Sequence, residues 1–167
     1  MASASELDTR IQMDLSDETA TEALAAALAR LARPGDVFAL RGELGAGKTT
    51  FARAFIHACA KAEVGPGDEE VPSPTFTLVQ TYDLPGGTVY HFDLFRIETP
   101  DEADELGFDD AIADGIALIE WPERLGSRLP ARRLEITLSA GAEPTSRRVT
   151  IAGAGSWHRR LKEARLV

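Results

Sequence analysis

A glycine-rich segment, 42-GELGAGKT-49, lies between two stretches of opposite periodicity and leaves few folds open to this chain. Before it, the continuous apolar run 37–40 is typical of a strand covered on both faces. After it, the residues from Thr49 to Lys61 follow a helical pattern. A buried strand, a glycine turn and a helix in this order predict an α/β fold with the turn at one edge of the sheet.

The segment matches the pattern G-x-x-x-x-G-K-S/T of a phosphate-binding loop, or P-loop. Its glycines permit positive φ angles and a close approach of the backbone, so that successive N–H groups can surround an anion. The helix that follows adds unpaired N–H groups and the positive end of its dipole. Lys48 is expected to bind the β- and γ-phosphates of a nucleotide, Thr49 to ligate Mg²⁺, and Thr50 to contact the α-phosphate side.

A site for a nucleoside triphosphate also needs an acid near the metal, and the sequence offers two. Asp93 ends the apolar segment 89–93 and Glu120 ends the apolar segment 116–120. Both are expected at the carboxyl ends of strands, where open α/β sheets bind ligands. Glu120 has the more apolar strand and Asp93 has the usual carboxylate type, so the choice between them stays open. His91 is expected to be a core or surface histidine rather than a base.

Two further features fall near the predicted site. The loop 71-VPSPTFT-77 follows the P-loop helix, so Thr75 or Ser73 could contact the γ-phosphate, although an ordinary proline-rich turn explains the segment equally well. Trp121 directly follows Glu120 and is either a stacking or partner-binding side chain or a plain core residue. The residues predicted to bind the nucleotide are Gly42, Glu43, Leu44, Gly45, Ala46, Gly47, Lys48, Thr49, Thr50 and Thr75. Catalysis is assigned to Lys48, Asp93 and Glu120, and the metal to Thr49, Asp93 and Glu120.

The remaining segments predict a mixed sheet within a single domain over residues 1–167. Segments 78–82 and 88–92 are joined by 83-DLPGG-87 and predict an antiparallel hairpin. The other predicted strands are 10–15, 116–119, 133–138 and 147–151, and the other predicted helices are 20–32 with Ser16 as N-cap, 100–114 and 157–165. We therefore expect a three-layer α/β fold like that of P-loop NTPases, with a parallel centre and antiparallel flanking strands.

Composition limits the partners and the compartment. A formal net charge of −9 repels a phosphate backbone, so broad nucleic-acid binding, DNA included, is not expected. The basic residues near the end of the chain, from Arg147 to Arg165, are expected to form a solvated charged surface. No apolar stretch is long enough to cross a membrane and the start of the chain has no secretory pattern, so a cytoplasmic location is expected.

Several segments together resemble the TsaE family, the small bacterial ATPases of tRNA threonylcarbamoyladenosine biosynthesis. The segments are LRGELGAGKTTFARAF, SPTFTLVQTY, VYHFDLFRIE, ELGFDDAI and ALIEWPERL, and the resemblance covers roughly 17–125. It implies a P-loop fold, Mg-ATP binding, slow ATP hydrolysis, and action with the proteins TsaB and TsaD, which modify adenosine 37 of tRNA, so that this chain meets tRNA only through the complex. Two differences are Glu43, where the family often has Asp, and a longer, more acidic loop at 62–70.

Two alternative functions remain. A small-molecule kinase would share the P-loop and the chain length, but it normally adds an arginine-rich lid, and only Arg53 and Arg96 stand out between Gly42 and Glu120. A GTP-driven switch is disfavoured because the N-K-x-D guanine signature is absent: the three lysines are Lys48, Lys61 and Lys162, and none follows an asparagine.

Overall fold

The structure is a computed structural model that describes residues 7, 9–61 and 77–166. The predicted contact residues Ser73 and Thr75 lie outside these ranges, as does most of the loop after the P-loop helix. Within the described part, no helix is long and apolar enough to cross a membrane.

The described strands form one seven-stranded sheet in the order β1-β7-β6-β2-β5-β4-β3. Its strands are β1 Thr9–Leu15, β2 Val37–Arg41, β3 Val79–Leu84, β4 Gly87–Asp93, β5 Ile116–Glu120, β6 Leu134–Ala140 and β7 Arg147–Gly153. Strands β6, β2, β5 and β4 are parallel to one another, whereas β1–β7, β7–β6 and β4–β3 are antiparallel pairs. This confirms the predicted parallel centre with antiparallel flanks.

The two central strands are apolar because helices cover both of their faces. All five residues of β5 are buried, as are the first four of β2. Strand β1, at one edge, instead alternates between buried and more exposed positions. The run 37–40, read from sequence as a doubly covered strand, therefore lies beside β5 in the middle of the sheet.

Helices lie on both faces of the sheet and make three layers. One core contains Leu28, Phe51 and Trp157, from helices α1, α2 and α5, and the other contains Ala103, Phe108 and Leu125, from α3, α4 and a 3₁₀ segment. The bounds are α1 Glu18–Ala29, α2 Lys48–Lys61, α3 Glu102–Glu105, α4 Phe108–Asp114, the 3₁₀ segment Pro122–Arg128 and α5 Trp157–Glu163.

Several predicted helix boundaries were wrong. Helix α1 begins at Glu18 and is capped by Asp17, not Ser16: the Asp17 carboxylate accepts a hydrogen bond from the Ala20 amide at 2.9 Å. The single helix predicted over 100–114 is two short helices, because Gly107 adopts a left-handed φ of +74° between them. Helix α5 ends at Glu163, two residues early, and the 3₁₀ segment was not predicted.

The prediction of a solvated basic surface near the end of the chain was wrong for Arg160. This side chain is 5% exposed, and its guanidinium pairs with Asp36 at 2.6 Å and lies 3.8 Å from the ring of Trp157. Asp36 lies directly before β2, so the contact ties α5 to the entry of the central strand. By contrast, Arg148 is exposed and pairs with the exposed Asp14.

Candidate nucleotide-binding site

The glycine-rich loop connects the carboxyl end of β2 to the first turn of α2, as its sequence context predicts. Gly42, Gly45 and Gly47 all have positive φ, at +148°, +78° and +108°. A Cβ atom at Gly42 would lie 2.6 Å from the carbonyl oxygen of Leu138 and 2.9 Å from Cβ of Ala46. The loop therefore packs against β6 at a distance that only glycine permits.

Lys48 is the first residue of α2 and is only 5% exposed. Its ammonium group donates hydrogen bonds to the carbonyl oxygens of Gly42 and, at 2.9 Å, Glu43, and it lies 4.1 Å from the ring centre of Trp121. Burial lowers the pKa of this ammonium, while the carboxylates of Glu120, Glu123 and Asp93 oppose the shift. The cation is thus desolvated and held by neutral acceptors next to the loop.

Glu120 connects the loop to the neighbouring strand. One oxygen of its carboxylate accepts a hydrogen bond from the Thr49 hydroxyl at 2.9 Å, and the other lies 2.7 Å from Nε2 of His91. This geometry follows from the sheet, because Glu120 on β5 is level with Leu40 at the end of β2. Glu120 and His91 are 2% and 0% exposed.

Asp93 lies beside Glu120, because the two residues are register partners on the parallel strands β4 and β5. The Asp93 carboxylate accepts a hydrogen bond from the Phe95 amide at 3.1 Å and is 5% exposed. Both predicted acids therefore reach the same edge of the sheet as the P-loop. Glu120 is the acid that accepts the hydrogen bond from the Thr49 hydroxyl.

A cavity of about 240 Å³ joins these groups. It is lined by Leu44, Gly45, Gly47, Lys48, Thr49, Thr50, Asp93, Phe95, Glu120 and Trp121. Gly42, Glu43 and Ala46 belong to the loop but do not line the cavity. A second cavity of about 390 Å³ shares Gly47 and Thr50 with the first and extends to Thr21 on α1 and to Arg147 on β7.

Trp121 is neither an exposed surface residue nor a plain core residue. It is half-buried, and its ring contacts the ammonium of Lys48 and the ring of Phe95, whose centre lies 4.9 Å away. Its backbone is held at a φ of +60°, a conformation that costs free energy for any residue with a side chain. The packing around the cavity therefore holds the indole against Lys48.

The residues of the cavity fit a magnesium–nucleotide complex. Mg²⁺ keeps several waters and is usually bound through one or two carboxylates and the phosphates of the substrate, not by a cage of protein ligands. The described residues hold no cluster of three or more His, Cys, Asp or Glu side chains suited to a metal ion, but they do bring a hydroxyl, Thr49, to a carboxylate, Glu120. Lys48 places a cation at the same cavity, which is the charge that a polyphosphate ligand would require.

Sequence reasoning did not assign three residues that contact this site, one of which is Phe95 in the lining of the cavity. His91 is buried against Glu120, and its Nδ1 atom has no hydrogen-bond partner in the described structure. The sequence did contain a clue to the position of His91: it is two residues from Asp93, and residues two apart in a strand share one face. Arg147 contacts the outside of the P-loop, and nothing in its local sequence pointed there.

Comparisons with known proteins agree on one family. A model described as "Threonylcarbamoyl adenosine biosynthesis protein TsaE" matches residues 15–149. The tRNA threonylcarbamoyladenosine biosynthesis protein TsaE of Rickettsia felis is 41% identical over 125 residues, which cover 74% of this chain and 70% of that protein. The protein of the same name from Bacillus subtilis is 35% identical over 144 residues, which cover 86% of this chain and 85% of that one.

A solved structure has the same fold. The crystal structure of YdiB from Bacillus subtilis matches with a TM-score of 0.72 and 28% identity, covering 93% of this chain and 94% of that chain. The residues matched by the family model, 15–149, include the P-loop, both acids and Trp121. This chain therefore belongs to the TsaE family of threonylcarbamoyl adenosine biosynthesis proteins.

Proposed function

We propose that this chain binds Mg-ATP and hydrolyses it slowly in support of tRNA threonylcarbamoyladenosine biosynthesis, together with TsaB and TsaD. The observation that carries the proposal is the meeting of Lys48, Thr49, Glu120 and Asp93 at one cavity against the P-loop. The names of the relatives support the biosynthetic role. The partners act on adenosine 37 of tRNA, and this chain meets the tRNA through them, in the cytoplasm.

Each side chain of the cavity has a distinct part in this proposal. Lys48 exchanges its neutral carbonyl partners for the β- and γ-phosphate oxygens, which are stronger acceptors for an ammonium group. Thr49 and Glu120 would hold Mg²⁺, which would neutralise charge on the phosphates. Asp93 or Glu120 orients the attacking water, and Trp121 with Phe95 limits access of bulk water. The nucleoside extends toward the second cavity, between Thr21 and β7.

Replacement of the P-loop lysine tests the nucleotide site. We expect Lys48→Ala to weaken Mg-ATP binding at least about tenfold, because a charge-assisted hydrogen bond to phosphate contributes roughly 1.5–3 kcal/mol. Binding is measured by isothermal titration calorimetry. Lys61→Ala at the exposed end of α2 is the matched control, since it removes the same charge on the same helix outside the cavity. Because Lys48 is buried, thermal unfolding of both variants is measured alongside. Equal affinity in wild type and Lys48→Ala would refute the site.

Reconstitution tests the partnership. Isolated chain should hydrolyse ATP slowly, and TsaB with TsaD should raise the rate, because a switch acts only when its partner is present. tRNA modification over many turnovers, with and without this chain, measures the contribution to the pathway. Rapid hydrolysis by the chain alone would contradict the partner-dependent model. Stimulation by small alcohols or nucleosides, with no response to the partner proteins, would instead support a small-molecule kinase.

A further inference from the structure

Within the described part of the chain, the guanidinium of Arg147 makes four hydrogen bonds, and all four acceptors are backbone carbonyl oxygens. Its Nε donates to Ala46 at 3.1 Å and its Nη2 to Gly45 at 3.4 Å, both in the P-loop, about a hundred residues away in sequence. Its Nη1 donates to Pro144 at 3.1 Å and to Ser146 at 2.8 Å, both in the turn between β6 and β7. The guanidinium therefore joins that turn to the P-loop.

The turn that carries Arg147 is itself closely held. The Ser146 hydroxyl accepts from the Glu143 amide at 2.9 Å and donates to the Glu143 carbonyl at 3.0 Å, and the Gly141 amide donates to the Ser146 carbonyl at 3.0 Å. Strand β6 leads into this turn from its parallel pairing with β2, so the turn and the P-loop lie at the same edge of the sheet. The hydrogen bonds of the turn therefore fix the backbone from which the Arg147 side chain extends.

The contact to Ala46 determines the direction of one peptide group in the P-loop. In a trans peptide the C=O and the following N–H point in opposite directions. Because the Ala46 carbonyl points to Arg147, the Gly47 amide points away from Arg147. Gly47 and Lys48 line the cavity of about 240 Å³ at the candidate site, whereas Arg147 lines the adjoining cavity of about 390 Å³, which shares Gly47 and Thr50 with the first. The Ala46 amide is not available to a ligand in this way, because its N–H already donates to the Glu43 carbonyl at 3.1 Å.

The charge of Arg147 also remains available to an anion. Among the described residues, no carboxylate lies within salt-bridge distance of its guanidinium, whereas Arg148, the next residue, pairs with Asp14 at 2.9 Å. A cation whose partners are all neutral carbonyls keeps its net positive charge, so it adds positive potential to the loop it contacts.

We propose that Arg147 is a positioning residue for the P-loop: it holds the Ala46–Gly47 peptide with the Gly47 amide turned toward the phosphates, and it adds positive potential from the adjoining cavity. This inference rests on the proposed function, because it assigns a role in binding the same phosphates. The inference gives Arg147 a role different from the one predicted from sequence, where it was one of the solvated basic residues near the end of the chain.

The test compares Arg147→Gln, Arg147→Lys and, as the matched control, Arg148→Gln. Mg-ATP affinity is measured by isothermal titration calorimetry and nucleotide-free stability by thermal unfolding. We expect Arg147→Gln to weaken Mg-ATP binding about tenfold, or about 1.4 kcal/mol, because the Gly47 amide would no longer be held in the direction of the phosphates. Arg147→Lys should recover only part of the affinity, because a single ammonium group cannot hold both carbonyls as the planar guanidinium does. Arg148→Gln should bind as wild type does.

Steady-state hydrolysis separates positioning from general damage. The Gly47 amide contacts phosphate before and during the reaction, so Arg147→Gln should raise KM and leave kcat nearly unchanged. If Arg147→Gln binds Mg-ATP as tightly as Arg148→Gln does, the inference is wrong. Full recovery of affinity in Arg147→Lys would also overturn it, because charge alone would then suffice.

One measurement needs no variant. The Nε–H of Arg147 in the wild-type chain should exchange slowly with solvent in nitrogen-15 NMR spectra, because it is bonded to Ala46. Rapid exchange would show that the contact is absent in solution. If wild type fails to bind Mg-ATP at all, the proposed function fails; if wild type binds and Lys48→Ala does not, but the Arg147 variants bind normally, only the present inference fails.

Discussion

Individual residues of the site depend on contacts between strands. Glu120 lies between Thr49 on α2 and His91 on β4, so its two carboxylate oxygens have separate partners. A carboxylate with one oxygen held by a buried donor keeps its other oxygen in a fixed direction, here toward the hydroxyl that we assign to Mg²⁺. His91 is therefore a structural partner of the acid, in line with its expected place in the core.

Replacement of His91 tests this arrangement. The amide nitrogen of His91→Gln lies near the position of Nε2 and can still donate to Glu120, whereas His91→Leu fills the same space without a donor. We expect His91→Leu to weaken Mg-dependent ATP binding roughly tenfold, on the basis of about 1–3 kcal/mol for an unsatisfied buried group, and His91→Gln to stay close to wild type. Calorimetric titration at several Mg²⁺ concentrations measures both. Equal losses in the two variants would mean that packing, not the hydrogen bond, matters here.

The glycines of the P-loop differ in how much space surrounds each of them, so we expect their substitutions to differ in cost. Gly42→Ala should lower the free energy of unfolding more than Gly45→Ala, because its Cβ would meet the Leu138 carbonyl at 2.6 Å, whereas nothing lies within 4 Å of a Cβ at Gly45. Gly45→Ala carries only the cost of positive φ, about 1–2 kcal/mol. Urea unfolding followed by circular dichroism measures the difference. A larger loss in Gly45→Ala would contradict the packing of the loop against β6.

At the scale of secondary-structure elements, the strands and helices follow from local patterns, whereas their ends follow from single capping residues. Ser16 was the predicted N-cap of α1, but the structure uses Asp17, whose carboxylate reaches the Ala20 amide. The predicted helix 100–114 failed in the same way, because the sequence pattern continues through Gly107 while its left-handed backbone does not.

Substitutions at the N-cap of α1 test whether a single capping residue determines where the helix begins. Asp17→Ala should lower the free energy of unfolding by about 1 kcal/mol, the usual effect of removing an N-cap. Ser16→Ala, the residue that the sequence pattern had favoured, should change it by a few tenths of a kcal/mol at most. Chemical denaturation of the two variants measures both values. The reverse order would show that Ser16 caps the helix in solution.

At the scale of the whole molecule, buried and half-buried ion pairs connect parts that are far apart in sequence. Arg160 joins α5 to Asp36 before β2, and Arg41 on β2 donates a hydrogen bond to Glu135 on β6 at 3.0 Å. Glu135 also accepts a hydrogen bond from the nearby Arg133 at 2.8 Å. Burial alone would raise the pKa of the Glu135 carboxyl, but the two guanidinium groups outweigh it and leave the pKa below its ordinary value of 4.5.

The lowered pKa of Glu135 predicts how stability changes in acid. A carboxyl whose pKa is lower in the folded than in the unfolded state stabilises the fold above its unfolded pKa, and this contribution is lost as the pH falls through the folded pKa. Wild type should therefore lose stability below about pH 4.5, and Glu135→Gln should be less stable at neutral pH but lose less in acid. Urea unfolding between pH 3 and 7 tests this. Parallel pH profiles for the two proteins would contradict it.

Much of this fold and site was predictable because its signals are local. A pattern of only a few residues identifies each of these features: the apolar strands β2 and β5, the hairpin β3–β4 and the segment 42–49. The positions of Asp93 and Glu120 at strand ends follow from equally short patterns. Backbone periodicity and the φ freedom of glycine act between near neighbours, so one sequence suffices to read them.

The tertiary structure alone brought Arg147 to the P-loop, His91 to Glu120, Trp121 onto Lys48 and Arg160 to Asp36. These contacts depend on the order of strands in the sheet and on burial, which place residues 29 to 124 positions apart within a few ångströms of one another. A charged residue looks the same in sequence whether water or a buried partner surrounds it, because the free energy of its charge depends on that three-dimensional environment.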